Sequence, residues 1–465
     1  MNKRIVLLFF TIITMVQCQK QPVKPEPLDT RDVLQKIAAI EGITISEMEP
    51  QNGFERQFEI FLTQPLDHNN PNGATFKQRI YLSHTNEAAP MVFMPSGYSS
   101  SPLKVAEISK PLGANQIYAA QRFMLGAEPS PMDWQYLTTE QLASDFHRIV
   151  ELFKTIYPAA WISYGVSKNG QAALFHKRFY PDDVKATVAI VAPISLARED
   201  PRYDEFLRNV GDETCRTRIK NFQRTVLKRR DDIIPLIQDY MASSSNSYTR
   251  MTAAEILEYE VLEYPFSFWQ VTNGHCATVP DSSVSALALF NHIKNFGYLD
   301  FYADLYLDFF QPVYYQAYTE LGWYRLIDDH LSDVLVALKN PSYSALAPRN
   351  VPLVFKPEVM LDMVQWLQTN GDNIIYIYGA NDPWTAGAIE LVGMNNAVKI
   401  IQPGANHSVK IADLDQRDYV YALISQWAGV KVDQNLSLFT IDNFNENAER
   451  FNLYGMVERL TPIHD

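Results

Sequence analysis

The sequence predicts an α/β architecture, a mostly parallel sheet covered by helices on both faces and interrupted by a large helical insertion. Three observations carry that expectation. Short apolar runs alternate with helical stretches from Met91 to Ala192. The alternation then stops at about Leu196 for a long block that is helical, aromatic and charged. It resumes in two strand–helix steps after Asn373. Strands separated by helices at this spacing pair in parallel, because a crossover of that length returns the chain to the same sheet.

In chain order, Asn2-Lys3-Arg4 followed by apolar Ile5 to Val16 has the charged start and short apolar core of a secretory signal. The run is too short to span a membrane as a folded helix. Residues 1–18 are read as the signal, with Cys18 at the position of a bacterial lipidation site, although Gln17 stands where a small residue is usual. Simple secretion is the alternative. Residues 19–53, polar and proline-rich at their start, read as a tether. From 54 to 195 comes the first part of the core. The alternation in Phe58-Glu59-Ile60-Phe61-Leu62 and Gln78-Arg79-Ile80-Tyr81-Leu82 predicts a hairpin, with turn-forming His68-Asn69-Asn70-Pro71-Asn72-Gly73 between. Met91–Met94 and Gln116–Ala119 read as buried strands. Thr138 opens a helix to about Tyr157, with a capping-box spacing to Gln141. Residues 196–364 read as a helical cap, and 365–429 as the second part of the core, closed by a helix from Ile411 to Trp427. Residues 430–465 form a tail that no pattern places.

The charge balance, 40 basic against 53 acidic side chains in 465 residues, gives −13 and argues against nucleic acid. No other apolar run reaches membrane-spanning length, so a membrane is expected as a partner only through Cys18. In the mature part, Cys215 and Cys276 form one disulfide or stay as two buried thiols. No glycine-rich phosphate loop is present. His147 and His176 stand alone on helices, and His275 beside Cys276 lacks partners at ligand spacing, so neither a cofactor nor a metal is expected.

The centre of the chain is Gly165-Val166-Ser167-Lys168-Asn169-Gly170, lying between an apolar strand and a helix that stops at Pro181. A serine on a strand-to-helix turn flanked by glycines has the nucleophile-elbow pattern of the α/β-hydrolase fold, although the second glycine falls one place late. In that fold the acid and the histidine follow the serine in chain order. Asp382 and His407 both lie in loops after late strands, where such sheets place their sites. Ser167 is then the expected nucleophile, His407 its base and Asp382 the orienting carboxylate. The N–H of Lys168, with that of Gly97 or Tyr98, is the expected oxyanion hole.

The chain resembles the streptomycete-type prolyl tri/tetrapeptidyl aminopeptidases, distantly related to lysosomal Pro-X carboxypeptidase and dipeptidyl-peptidase II. The likeness runs from about Gln57 to Gly429. It rests on Gln64-Pro65-Leu66-Asp67-His68, Gln121-Arg122-Phe123, Asp133-Trp134-Gln135-Tyr136-Leu137-Thr138 and Gly165-Val166-Ser167-Lys168. Further on it rests on Pro265-Phe266-Ser267-Phe268-Trp269-Gln270, Tyr314-Tyr315-Gln316-Ala317, Tyr378-Gly379-Ala380-Asn381-Asp382-Pro383-Trp384 and Asn406-His407. The resemblance implies an α/β-hydrolase core with a helical cap, peptide substrates cut near free N-termini, often after proline, and the same three residues as nucleophile, acid and base. Two positions depart from the family pattern: Asn169 replaces the usual glycine, and Ala120 a common acidic residue.

A cap over the strand ends admits chain ends and excludes folded proteins. Glu263 and Glu320 are the expected partners of a substrate ammonium, and Phe268 and Trp269 the expected walls of a slot for proline. A Pro-X carboxypeptidase-like peptidase or an esterase with the same triad is the alternative enzyme. An inactive hydrolase-fold binding protein is the non-enzymatic one.

Overall fold

The computed structural model describes residues 29–433, except 273 and 298. The signal expected at 1–18, with Cys18, and the tail from 434 lie outside the described residues. The tether reading fails for part of its length. Helix α1 (Val33–Ala38) is closed by a capping box on Asp32, and strand β1 (Ile43–Met48) follows it. Val33 and Ile37 are buried in the core. Two apolar positions four apart suffice to dock a six-residue helix, too little periodicity for the sequence to signal.

Strands β2 (Arg56–Pro65) and β3 (Thr75–His84) form the expected hairpin, with Phe58 opposite Leu82 and Ile60 opposite Ile80. Next come β4 (Met91–Pro95), β5 (Asn115–Ala119), α2 (Thr139–Lys154), β6 (Trp161–Val166), α3 (Lys168–Phe179) and β7 (Ala186–Ile190). The side chain of Thr138 accepts the N–H of Gln141 at 3.2 Å and caps α2. The cap block carries α4 (Pro201–Asn209), α5 (Glu213–Lys228), α6 (Arg230–Ser243), α7 (Ala253–Val271), α8 (Ala286–Gly297) and α9 (Asp304–Gln316). The core returns as α10 (Pro357–Thr369), β8 (Ile374–Gly379), β9 (Ala397–Gln402) and α11 (Arg417–Ala428).

The nine strands form one sheet in the order β1-β2-β3-β5-β4-β6-β7-β8-β9. Pairs as far as β3–β5 are antiparallel and all later ones parallel. Alternate side chains of each central strand feed opposite faces. Met91, Phe93, Tyr376 and Tyr378 pack beneath α2, α3 and α10, whereas Val92, Met94, Ile375 and Ile377 pack with α11. Both faces being dry explains why these strands read as unbroken apolar runs. This is the α/β-hydrolase fold.

Two boundaries move. The expected end of the cap at 364 falls inside α10, whose Met360, Met363 and Leu367 pack on the sheet with α3. The helix expected from Ile411 begins at Arg417, after a 3-10 turn at Ile411–Asp413. The Glu107 carboxylate takes the N–H groups of Ile411 and Ala412, which sets that turn apart from α11.

The cap has an apolar core of its own, built on Phe222, Leu262, Phe268, Leu289 and Ile293. Cys215 and Cys276 are joined by a disulfide with 5.4 Å between Cα atoms. The bridge closes 61 residues of sequence within the cap, a loop whose closure stabilises by about 4 kcal/mol in the chain-entropy account.

Candidate active site

The elbow lies between β6 and α3. Ser167 holds φ 58° and ψ −130°, a region costing a non-glycine residue roughly 1–3 kcal/mol. Its N–H donates to Ile190 O at 2.8 Å, and its carbonyl accepts from Gln171 N at 3.1 Å, which fixes the turn at both ends. A Cβ on Gly165 would lie 2.3 Å from the Asn169 carbonyl oxygen, and one on Gly170 would lie 2.7 Å from Ala192 Cβ. Only glycine lets strand and helix approach so closely. The irregular Asn169 has a role of its own. Its Oδ1 accepts from Gly97 N at 2.7 Å and Ser96 Oγ at 3.1 Å, and its Nδ2 donates to Tyr118 Oη at 3.2 Å.

Asp382 and His407 follow β8 and β9. Gly379 brings their loops together, since a Cβ there would lie 2.3 Å from Asn406 O. Asp382 is fully buried, and its Oδ2 accepts from His407 Nδ1 at 2.7 Å while Oδ1 accepts from Trp384 N at 3.1 Å. A carboxylate on Nδ1 fixes the imidazole tautomer and its ring plane. The N–H of His407 donates to Gln270 O of α7 at 3.2 Å, so the cap touches this loop directly. Ser167, Asp382 and His407 thus all stand at the carboxyl ends of strands in the parallel half of the sheet, on β6, β8 and β9.

The oxyanion-hole expectation needs correction at two of its three residues. Gly97 N already donates to Asn169, and Tyr98 N donates to Ser96 Oγ at 2.9 Å. Asparagine at the position after Lys168 turns this loop's donors inward. Lys168 begins α3, so its N–H is among the first-turn donors that have no acceptor within the helix.

The pattern of the PS-10 peptidase S37 family matches residues 24–442. The chain belongs to that family. It is a serine peptidase. The prolyl tri/tetrapeptidyl aminopeptidase of Streptomyces mobaraensis is 35% identical to it over 409 residues, which cover 86% of this chain and 85% of that one. A proline iminopeptidase structure from Mycobacterium smegmatis aligns with 81% of this chain and 99% of its own, at 12% identity and a TM-score of 0.39.

Several residues expected to bind substrate lie elsewhere in the peptidase. Glu320 is buried, and its Oε2 accepts from Thr139 N at 2.8 Å. It caps the N-terminus of α2, where a carboxylate meets the positive end of the helix dipole, so it is corrected to a structural residue. Phe268 is fully buried against Tyr264, Trp269 and Phe296 inside the cap. Trp269 fills the space over Gly211 and Gly274, where a Cβ would lie 2.1 Å and 3.1 Å from its ring. Neither is a wall of a proline slot. Ala120 sits in a small apolar cluster with Leu66, Phe76, Phe123 and Leu137.

Glu263 is half-buried on the face of α7 that looks toward Tyr324 and Tyr343. It accepts hydrogen bonds from Ser267 Oγ, Tyr324 Oη and Tyr343 Oη, the first two at 2.9 Å. Around it stands an aromatic wall that the sequence reading missed. Phe266 stacks on Tyr324 at 3.7 Å between centroids, Trp384 lies 5.3 Å from Tyr324, and Trp384 lies 6.5 Å from His407. Phe266 and Trp384 stand within quoted motifs and could have been found there; Tyr324 carried no signal. The remaining motifs build the scaffold. Buried Arg122 pairs with both oxygens of Asp145 at 2.7 and 2.8 Å and donates to Leu66 O and Tyr136 O, while His68 meets Asp145 at 2.7 Å.

Proposed function

We propose that the peptidase is exported and releases short peptides from free N-termini through an acyl-enzyme on Ser167. The observation that carries the chemistry is the buried 2.7 Å contact between Asp382 and His407, whose loops follow β8 and β9, two and three strands along the sheet from a glycine-flanked serine elbow. In this reading Asp382 holds Nδ1–H, and Nε2 takes the Ser167 proton as Oγ adds to the scissile carbonyl. The proton passes to the leaving amine, and water then frees the acyl group by the same steps. The N–H of Lys168 receives the oxyanion.

Glu263 supports the exopeptidase part. It stands two aromatic rings beyond His407, through Trp384 and Tyr324. A substrate ammonium held there would fix how many residues lie between the free N-terminus and Ser167. The name of the Streptomyces mobaraensis relative, a prolyl tri/tetrapeptidyl aminopeptidase, supports a product of three or four residues. The disulfide of the cap suits an oxidising compartment, as export through the segment ending at Cys18 would provide. A lipid on Cys18 would then tether the mature chain to a membrane.

A fluorophosphonate probe tests the chemistry: it should label Ser167, and Ser167→Ala should abolish labelling. Free and N-acetylated peptides, compared by mass spectrometry, test the specificity. Acetylation should lower kcat/KM by about 10² or more, because it takes the cation from the half-buried Glu263 carboxylate. Equal cleavage of both, or release of residues from the C-terminus, would overturn the aminopeptidase reading. Intact mass of native material should show a chain starting at Cys18 with added acyl groups.

A further inference from the structure

Three of the quoted motifs, at 121–123, 165–168 and 314–317, converge on one buried cluster that the proposed reaction does not use. Lys168 turns its side chain inward beneath the elbow. Its Nζ donates to Gly97 O at 2.8 Å, Gln121 Oε1 at 2.7 Å and Gln316 Oε1 at 2.8 Å, and lies 5.6 Å from the centre of the Tyr98 ring. Gln121 Nε2 donates to the same Gln316 oxygen at 2.9 Å. Gln316 is the last residue of α9, so these bonds join the cap to the core.

The cluster is unusual in its charge. The loops after β4 and β5 and the end of α9 present Lys168 with a carbonyl, two carboxamides and a phenol ring, and among the described residues no carboxylate bonds to it. A buried ammonium without a counter-ion loses proton affinity, and burial alone brings this one down to about 7. The amide is fixed as well. Two donors meet at Gln316 Oε1, and a flipped amide would set its NH₂ against the ammonium. Gln316 Nε2 is left without an acceptor among the described residues.

We propose that Lys168 is a positioning residue that couples the seating of the cap to the geometry of the nucleophile elbow. The inference rests on the Ser167 chemistry proposed above. The same residue offers its backbone N–H to the reacting carbonyl and its ammonium to α9 and the Gly97 loop. A protonated amine satisfies three acceptors with three N–H groups. The neutral amine has two, so deprotonation releases one tie and loosens the seat. Stability moves the other way. The folded-state value of about 7 lies below the ordinary lysine value of 10.5, so between them the unfolded chain binds more protons and stability rises with pH. Activity therefore falls over a range in which the fold is gaining stability, which separates the effect from alkaline unfolding.

The test measures labelling of Ser167 and turnover of a free-N-terminus peptide against pH, in the full chain, in Gln316→Glu and in Lys168→Met. The parent protein should lose rate on the alkaline side of neutrality. Gln316→Glu places a carboxylate beside the ammonium and should move that limb upward by about 1–3 pH units. Lys168→Met should lower kcat more than it raises KM and remove the limb. A limb that stays in place in Gln316→Glu, or persists in Lys168→Met, overturns the coupling. If Lys168→Met does not fold, the shift in Gln316→Glu decides alone. A parent protein that the probe never labels overturns the serine chemistry itself, whereas a labelled one with an unshifted limb overturns only the role of Lys168.

Discussion

Asp382 makes a contact that its neutral isostere would reverse. An amide at this position would offer N–H to His407 Nδ1 in place of an accepting oxygen and stabilise the wrong tautomer. Asp382→Asn is expected to fold normally and to lower kcat by about 10⁴, as such variants of other triads do; thermal melting beside steady-state kinetics checks both halves. Two glutamates expected to act alike should now part. Glu263→Gln is expected to lower kcat/KM on free peptides by about 10² or more and to leave a small activated ester unaffected. Glu320→Gln weakens the cap of α2 and is expected to cost about 1 kcal/mol of stability, read from urea midpoints, with unchanged specificity. The placement of Ser167, Asp382 and His407 at strand ends was legible because chain order and strand ends are written in sequence. The donors of Gly97 and Tyr98 were misread because a backbone N–H shows its acceptor only when the loop is folded.

Helix α7 shows why an element can be recognised while its facing is not. Glu263, Phe266, Ser267 and Gln270 recur at helical spacing and look toward Tyr324, Trp384 and His407. Tyr264 and Phe268 recur at the same spacing and look toward Phe222 and Phe296. A helix buried nearly all round has no polar stripe to mark its outside, so the sequence could not say which aromatics meet the site. A second junction of elements sets an acid limit. Asp183, in the turn before β7, accepts from His147 of α2 and His176 of α3 at 2.8 Å each. Burial acts to raise the pKa of Asp183, but these two hydrogen bonds outweigh it and hold the group at about 2, below its ordinary 3.8. The contribution is present above the ordinary value and is lost as pH falls from there through about 2. Urea midpoints should decline over that window, and Asp183→Asn should flatten the decline.

At the scale of the molecule, the apolar interior is divided. Two large clusters share the sheet, and a third is built by the insertion and meets the sheet part at Trp384 and Ala386. The α/β rhythm made the first two legible, since both faces of a central strand must be dry. The third was legible only as a helical block, because its partners are set by tertiary contacts between helices far apart in sequence. Separate interiors are expected to unfold separately, and calorimetry should resolve two transitions, only one of which responds to a reductant.

The bridge between Cys215 and Cys276 belongs entirely to the insertion, whereas the elbow and the Asp382–His407 pair stand on the sheet. On the function proposed above, selectivity and reactivity would rest on different parts of the chain. Under reducing conditions the molecule should become less discriminating before it becomes inert, with peptide trimming fading while hydrolysis of a small ester continues. Where both activities decline together, the gatekeeper and the blade are one unit after all.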